Sequence, residues 1–393
     1  MRFALPPLSA LSPTGLLFAA TGAIGLWLPL VQFKPNRIVA GQGVDLIAAL
    51  PGPAGWAVAL GMAAILALGL AAGRGLGLRL GLAVLGLGLS LFALGLAARG
   101  LMPEGNRMAR VSPAAGFWLQ FLAFALMATD ALARLRPGIR TRAAILAGAV
   151  AAGTGVLASG WLDRTSVMIE YAARAEMFSR SLWQHLLLAF GSLGLAFIVG
   201  LPLGIAIFMA RPLRKPVLTL LNMLQTIPSL ALFGIMIPIF GWVAAHVPGA
   251  ADLGVAGIGP FPALMALFLY ALLPVVSNTW VGLSSVSPAV RDAALGIGMT
   301  PAQVLRQVEL PLALPVVLAA VRIVLVQNIG LAVIAGLIGG GGFGSFVFQG
   351  LNQTAMDLIL LGALPTIFLA LVAGIGLDLV IETLSRQKHR STP

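Results

Sequence analysis

Residues 287–311, SPAVRDAALGIGMTPAQVLRQVELP, lie between two long apolar runs and carry the most organised polar pattern in the chain. Ser287-Pro288 reads as an N-cap followed by proline at the first helical position, where a missing N–H costs nothing. Val290, Ala293, Ala294 and Ile297 recur at spacings of three and four, which predicts one apolar face on a short helix. Gly298 is placed to end that helix in a left-handed conformation. Thr300-Pro301 opens a second helix, with Gln303 completing a capping box and Val304, Leu305 and Val308 as its apolar side. Pro311 and Pro315 are expected to break this run as the next apolar stretch begins. Hydrocarbon has no use for two short helices meeting at a glycine. The alanines leave a shallow surface suited to a docking partner, although an ordinary well-capped loop carries the same signals.

Working outward, the 393 residues are 59% hydrophobic, with 48 glycines and only 9% charged residues, where soluble domains carry roughly 25%. So little charge cannot cover a water-facing surface, which excludes a soluble enzyme, a disulfide scaffold, a coiled coil and a disordered chain. The apolar runs are continuous rather than alternating, which predicts an all-α polytopic membrane protein and not a barrel. About ten spans are read, at 14–33, 55–73, 78–98, 114–133, 142–160, 184–209, 217–245, 259–284, 312–338 and 357–384. Each is long enough, at about 1.5 Å per residue, to cross a core about 30 Å thick. Residues 1–160 then form an N-terminal extension of about five helices. The polar stretch 161–183 is an outer-face linker or interfacial helix. Residues 184–385 carry five further spans, and 386–393 form a basic tail.

The net charge of +12 is explained by topology rather than by nucleic acid. Arg134, Arg136, Arg140, Arg142, Arg211, Arg214, Lys215, Arg386, Lys388 and Arg390 fall on one side under alternation, which places both termini in the cytoplasm. The run 14–33 lacks a small-residue cleavage site and reads as an uncleaved first helix. Cysteine is absent and the three histidines, His185, His246 and His389, are scattered, so no metal site is expected.

The loop resembles the signature of ABC-importer permeases: Glu-Ala-Ala, three residues, Gly, nine residues, Ile, one residue, Leu-Pro. Asp292, Ala293, Ala294, Gly298, Val308, Leu310 and Pro311 fill those positions, with Asp for Glu and Val for Ile. The runs at 221–238, 269–283, 299–317 and 338–351 are similar to permeases that import osmoprotectants such as glycine betaine, choline and proline betaine. The resemblance covers about 184–385 and implies a type I permease core, with the loop as the coupling element. It also implies cytoplasmic ATP-binding subunits, a periplasmic substrate-binding protein, a second permease copy or sister permease, and a bacterial inner membrane. No cofactor is implied on this chain, ATP and magnesium belonging to the partner ATPase. Another small solute, such as methionine or a sulfonate, is equally compatible with the loop, and an ion-driven secondary carrier is a more distant alternative.

Polar groups within the spans are costly and usually face a bundle interior. Asn222, Gln225 and Ser229, with Asn278, Gln327 and Asn328, are therefore candidates for a translocation path, against a plain role in helix–helix adhesion. Arg322 lies eleven residues past Pro311, roughly 16 Å along the span; it can snorkel toward the inside or meet Asp378, and a structural ion pair is the favoured reading over a gate. The glycines at 339–342 and 344 suggest a re-entrant turn. No GxxxxGK[ST] lysine follows them or occurs elsewhere, so a phosphate loop is not expected.

Overall fold

The computed structural model describes residues 13–36, 39–71, 75–102 and 108–390, with side chains described as far as 384. The N-terminal twelve residues, Arg74 and residues 391–393 of the basic tail lie outside this set, as do the side chains of Arg386, Lys388 and Arg390. Among the described residues, eight helices are long and apolar enough to cross a membrane, and two shorter apolar helices, Pro13–Trp27 and Ala54–Leu70, accompany them. The chain divides into two compact units, 1–173 and 174–393.

The first unit contains α1 (Pro13–Trp27), β1 (Val31–Lys34), β2 (Gln42–Val44), α2 (Leu46–Ala49), α3 (Ala54–Ala71) and α4 (Leu76–Leu101). It continues with β3 (Arg110–Pro113), α5 (Ala115–Leu135), α6 (Ile139–Ala158) and α7 (Ser166–Ala173). The three strands make an antiparallel sheet that the composition did not announce. β1 is central, with Gln32 opposite Gly43 on one side and Ser112 on the other. Val31 and Val111 are fully buried in it, and such β-branched residues suit a half-buried pleat. Ser112 Oγ and Ser166 Oγ lie 2.8 Å apart, and Arg110 pairs with the buried Glu170 at 3.6 Å, tying α7 to the sheet. Residues 161–173 thus belong to the first unit, and the stretch 161–183 does not stand as a separate linker.

Between the helices of this unit, Met62, Phe124 and Met127 are buried together. A buried charge pair also sits there. Arg79, 1% exposed, meets Asp130 at 3.0 Å and lies 5.4 Å from the Phe18 ring centre. Arg134 shares the same carboxylate at 3.0 Å. None of the side chains of α6 is buried within the chain.

The second unit begins with α8 (Ala175–Met209), which absorbs the polar residues 175–183 instead of starting at 184. At about 1.5 Å per residue it is roughly 50 Å long, so it extends well past a hydrocarbon core of about 30 Å. Then come α9 (Arg211–Thr226), α10 (Ser229–His246), α11 (Pro260–Ser284), α12 (Pro288–Gly296), α13 (Pro301–Gln303) and a π-helical turn at Val304–Glu309. α14 (Leu310–Leu331), a 3₁₀ segment (Ile334–Ile338), α15 (Gly344–Asn352) and α16 (Met356–Arg390) complete it. α11 is the central helix, packed on α8, α14, α10 and α9, while α16 packs on α14 and α15. The α8–α11 contact is close because Gly200 and Gly204 face it. A Cβ on Gly204 would stand 2.5 Å from Thr279 Cβ. Small residues four apart are the usual means of bringing apolar helices together where water provides no drive.

Two expectations change here. The run 217–245 is not one span: Ile227 is extended and Pro228 separates α9 from α10, because the residue before proline avoids the helical region and proline offers no N–H. Pro311 does not break the chain either. The Leu310 N–H bonds to the Leu305 carbonyl, five residues back, and this wider π register accommodates Pro311 without ending the helix.

The buried Arg79 makes the first unit sensitive to its counter-ion. Asp130→Ala is expected to lower stability by about 3–5 kcal/mol, read as reduced yield and earlier thermal unfolding of the protein in detergent.

Candidate functional site

The 287–311 loop is built by local rules. Ser287 holds the N-cap position of α12, although its hydroxyl makes no capping bond. At the other end, Gly298 has φ +90°. Its N–H bonds to the Leu295 carbonyl at 3.0 Å, and the Met299 N–H reaches the Ala294 carbonyl at 3.2 Å, the paired bonds of a Schellman cap. Thr300 starts α13 with a full capping box. Its Oγ1 accepts from Gln303 N–H at 3.3 Å, and Gln303 Oε1 accepts from Thr300 N–H at 2.7 Å. The apolar face of α12 does not turn toward the chain's own interior. Ala294 is buried, whereas Val290, Leu295 and Ile297 are 41%, 44% and 81% exposed, and Asp292 and Ala293 are exposed with them. Val308, Leu310 and Pro311 are half-buried at the start of α14.

The polar span residues do not form one continuous lining. Asn222 is exposed and donates to the Leu218 carbonyl of its own helix at 2.7 Å. Gln225 donates to the Tyr270 carbonyl at 2.9 Å, while the Tyr270 hydroxyl donates to the Ile227 carbonyl. Together they stitch the α9–α10 break to α11. Ser229 stands beyond that break, as the first residue of α10, so it does not share a helical face with Asn222 and Gln225. Asn278 donates to the Pro274 carbonyl at 2.8 Å. Gln327 is half-buried. Asn328 is fully buried and donates to Ser192 Oγ at 2.7 Å, an interhelical bond between α14 and α8 rather than a surface open to solute. Arg322 on α14 and Asp378 on α16 meet in an ion pair, with side chains 39% and 34% exposed.

Residues 192–390 match the family described as binding-protein-dependent transport system inner membrane component. The chain belongs to that family. It is therefore a membrane-embedded transport component. Residues 12–168 match a second description, the N-terminal domain of the ABC transporter permease YehY. The osmoprotectant import permease protein OsmW of Salmonella typhimurium is 45% identical over 190 residues, 48% of this chain and 83% of that protein. The choline transport system permease protein OpuBB of Bacillus subtilis is 35% identical over 205 residues, 52% of this chain and 85% of that protein. Among solved structures, the inward-facing MetNI methionine ABC transporter gives a TM-score of 0.48 at 23% identity, over 53% of this chain and 97% of that one. OsmW and OpuBB bear the names of permeases, not of enzymes.

Sequence reasoning missed several contacts of this permease core. Gln184 Oε1 accepts from Gly342 N–H at 3.1 Å, and the fully buried His185 accepts at Nδ1 from Phe343 N–H at 3.4 Å. Its Nε2 lies 3.0 Å from the Ile329 carbonyl. The glycine-rich turn is thereby clipped to α8. Arg291 and Glu309 of the loop also pair, although only their neighbours belong to the signature. No periodicity signals such pairs, because the partners are brought together by the tertiary fold.

An unpaired charge near the centre of a span costs about 2.5–3.5 kcal/mol or more. Arg322→Ala or Asp378→Ala alone is expected to lower membrane abundance. The double replacement Arg322→Met with Asp378→Leu should restore most of it, as measured by immunoblot of membranes at equal transcript levels.

Proposed function

We propose that this chain is the membrane-spanning subunit of an ATP-driven importer for osmoprotectants such as glycine betaine or choline. The observation that carries the reading is α12, a short capped helix between two spans whose apolar side chains point away from its own chain. Exposed apolar surface on a built helix marks a docking site, and Asp292, Ala293, Ala294, Gly298, Val308, Leu310 and Pro311 stand in the order that coupling loops follow. The partner is a cytoplasmic ATP-binding subunit. ATP and magnesium are bound there, and this chain performs no covalent chemistry. The remaining partners are a periplasmic substrate-binding protein and a second permease, identical or sister, in a bacterial inner membrane with both termini cytoplasmic.

In this mechanism, ATP closes the ATPase pair, and the docked α12 moves with it. Gly298 lets the chain turn sharply between α12 and α13, so the displacement reaches α14 instead of being lost in a loose loop. The path between the spans then opens to the binding protein, which delivers the solute. The names of OsmW and OpuBB support the solute class. The exposed Asn222, with Gln225 and Ser229 near the α9–α10 break and Asn278 and Gln327 on neighbouring spans, supplies weak polar contacts suited to passage rather than retention.

Labelled glycine betaine uptake is expected in cells carrying this chain with its ATPase and binding protein. Gly298→Asp, at equal membrane abundance, is expected to abolish it, because any side chain is strained at φ +90°. Uptake that persists without the ATPase would overturn the importer reading. Stimulation by a binding protein loaded with another solute would overturn only the solute class.

A further inference from the structure

Arg291 stands where three parts of the second unit meet. It belongs to α12, beside Asp292. Its Nε is 2.5 Å from Glu309 Oε1, and its guanidinium carbon is 5.2 Å from the centre of the Phe208 ring. Glu309 ends the π turn, is 4% exposed and immediately precedes α14. Phe208 is the penultimate residue of α8. A half-buried guanidinium is thus held between a buried carboxylate and an aromatic face, both charge-assisted contacts of the stronger kind. Apolar packing does not fill the joint. Ala294 is the buried residue of α12, and Arg291, Glu309 and Phe208 border a cleft of about 160 Å³ together with Leu295, Val304 and Leu305.

The backbone beside the pair is built to yield. The π turn at Val304–Glu309 holds one residue more than an α-helical turn would. A helix can pass such an excess residue along its length, and so rotate or slide, by exchanging a few hydrogen bonds instead of breaking all of them. Glu309 lies at the α14 end of this turn, so a pull on its carboxylate acts on α14 directly.

We infer that Arg291, Glu309 and Phe208 form the strut that carries displacement of α12 into α14 and α8, with the π turn as the joint that gives way. The inference rests on the proposed function and adds the positioning residues behind the docking face. Asp292 and Ala293 face the partner, while Arg291, with the buried Ala294, holds the helix to the spans.

The test uses the whole complex, reconstituted in liposomes with its ATPase and loaded binding protein, and reads solute transported per ATP hydrolysed. Arg291→Gln and Glu309→Gln are expected to co-purify with the ATPase and to hydrolyse ATP. Their transport per ATP should fall about tenfold, within the range of coupling between linked sites, and hydrolysis should lose its response to loaded binding protein. Arg291→Lys should recover part of the ratio. Residues that serve only the fold would lower assembly, hydrolysis and transport together and leave the ratio unchanged, and a wild-type ratio in the assembled variants overturns the strut. Should a charge variant fail to assemble, Phe208→Leu decides: a reduced ratio supports the strut and an unchanged one overturns it. Wild-type complex that does not link hydrolysis to transport would overturn the functional reading, and the strut with it.

Discussion

Hydrocarbon offers a backbone N–H or carbonyl no partner, and the second unit is arranged around that constraint. Pro202, Pro216, Pro238, Pro274, Pro315 and Pro365 lie inside its helices, Pro228 separates two of them and Pro311 stands in the first turn of α14, and at several of these places a substitute bond is present. At the α9–α10 break the Tyr270 hydroxyl donates to the Ile227 carbonyl, and Gln225 donates to the Tyr270 carbonyl, which the missing N–H of Pro274 leaves without its helical partner. At Pro311 the helix widens to π spacing and continues. At the far end of the 3₁₀ segment, the Ile338 carbonyl receives the Gly259 N–H at 2.9 Å. Polar side chains obey the same rule. Ser192, Asn278, Thr279 and Thr366 each donate to a carbonyl of their own helix.

Charge is handled with similar economy. Three arginines, Arg79, Arg291 and Arg322, each meet one carboxylate; two of the pairs join helices some fifty residues apart, and Arg291–Glu309 closes a single loop. Arg79–Asp130 lies within the first unit and is the most deeply buried. Arg322–Asp378 joins α14 to α16 and is partly exposed at the surface of the single chain. Arg291–Glu309 lies at the loop, where one partner is buried and the other reaches the surface. A guanidinium presents several donors in a fixed fork, which a lysine would not match.

The two family matches fall one in each compact unit, with 12–168 in the first and 192–390 in the second. The transport chemistry proposed here uses the second unit alone. The first has its own sheet, its own buried pair and its own core, which are the properties of a module that folds around itself.

Much of this was legible in the residues. Apolar runs of about twenty residues announced the spans, since only helices or closed barrels satisfy the backbone in lipid. The caps at Gly298 and Thr300 were readable because capping depends on a few adjacent residues. The pairing of Arg322 with Asp378 was expected on cost alone. Other features were out of reach. The sheet pairs β1 with β3 across some eighty residues, so no local pattern carries its register. The break at Pro228 was visible as a proline, yet whether it kinks or divides a span depends on the Tyr270 hydroxyl being near enough to take the Ile227 carbonyl. Asn328 looked like a path residue until Ser192 was found opposite. The sequence by itself determined which segments are helical and where they are capped, because hydrophobic run length and capping are local. Only the tertiary structure decided which polar groups are spent on holding helices together and which face outward, because that depends on what each helix packs against.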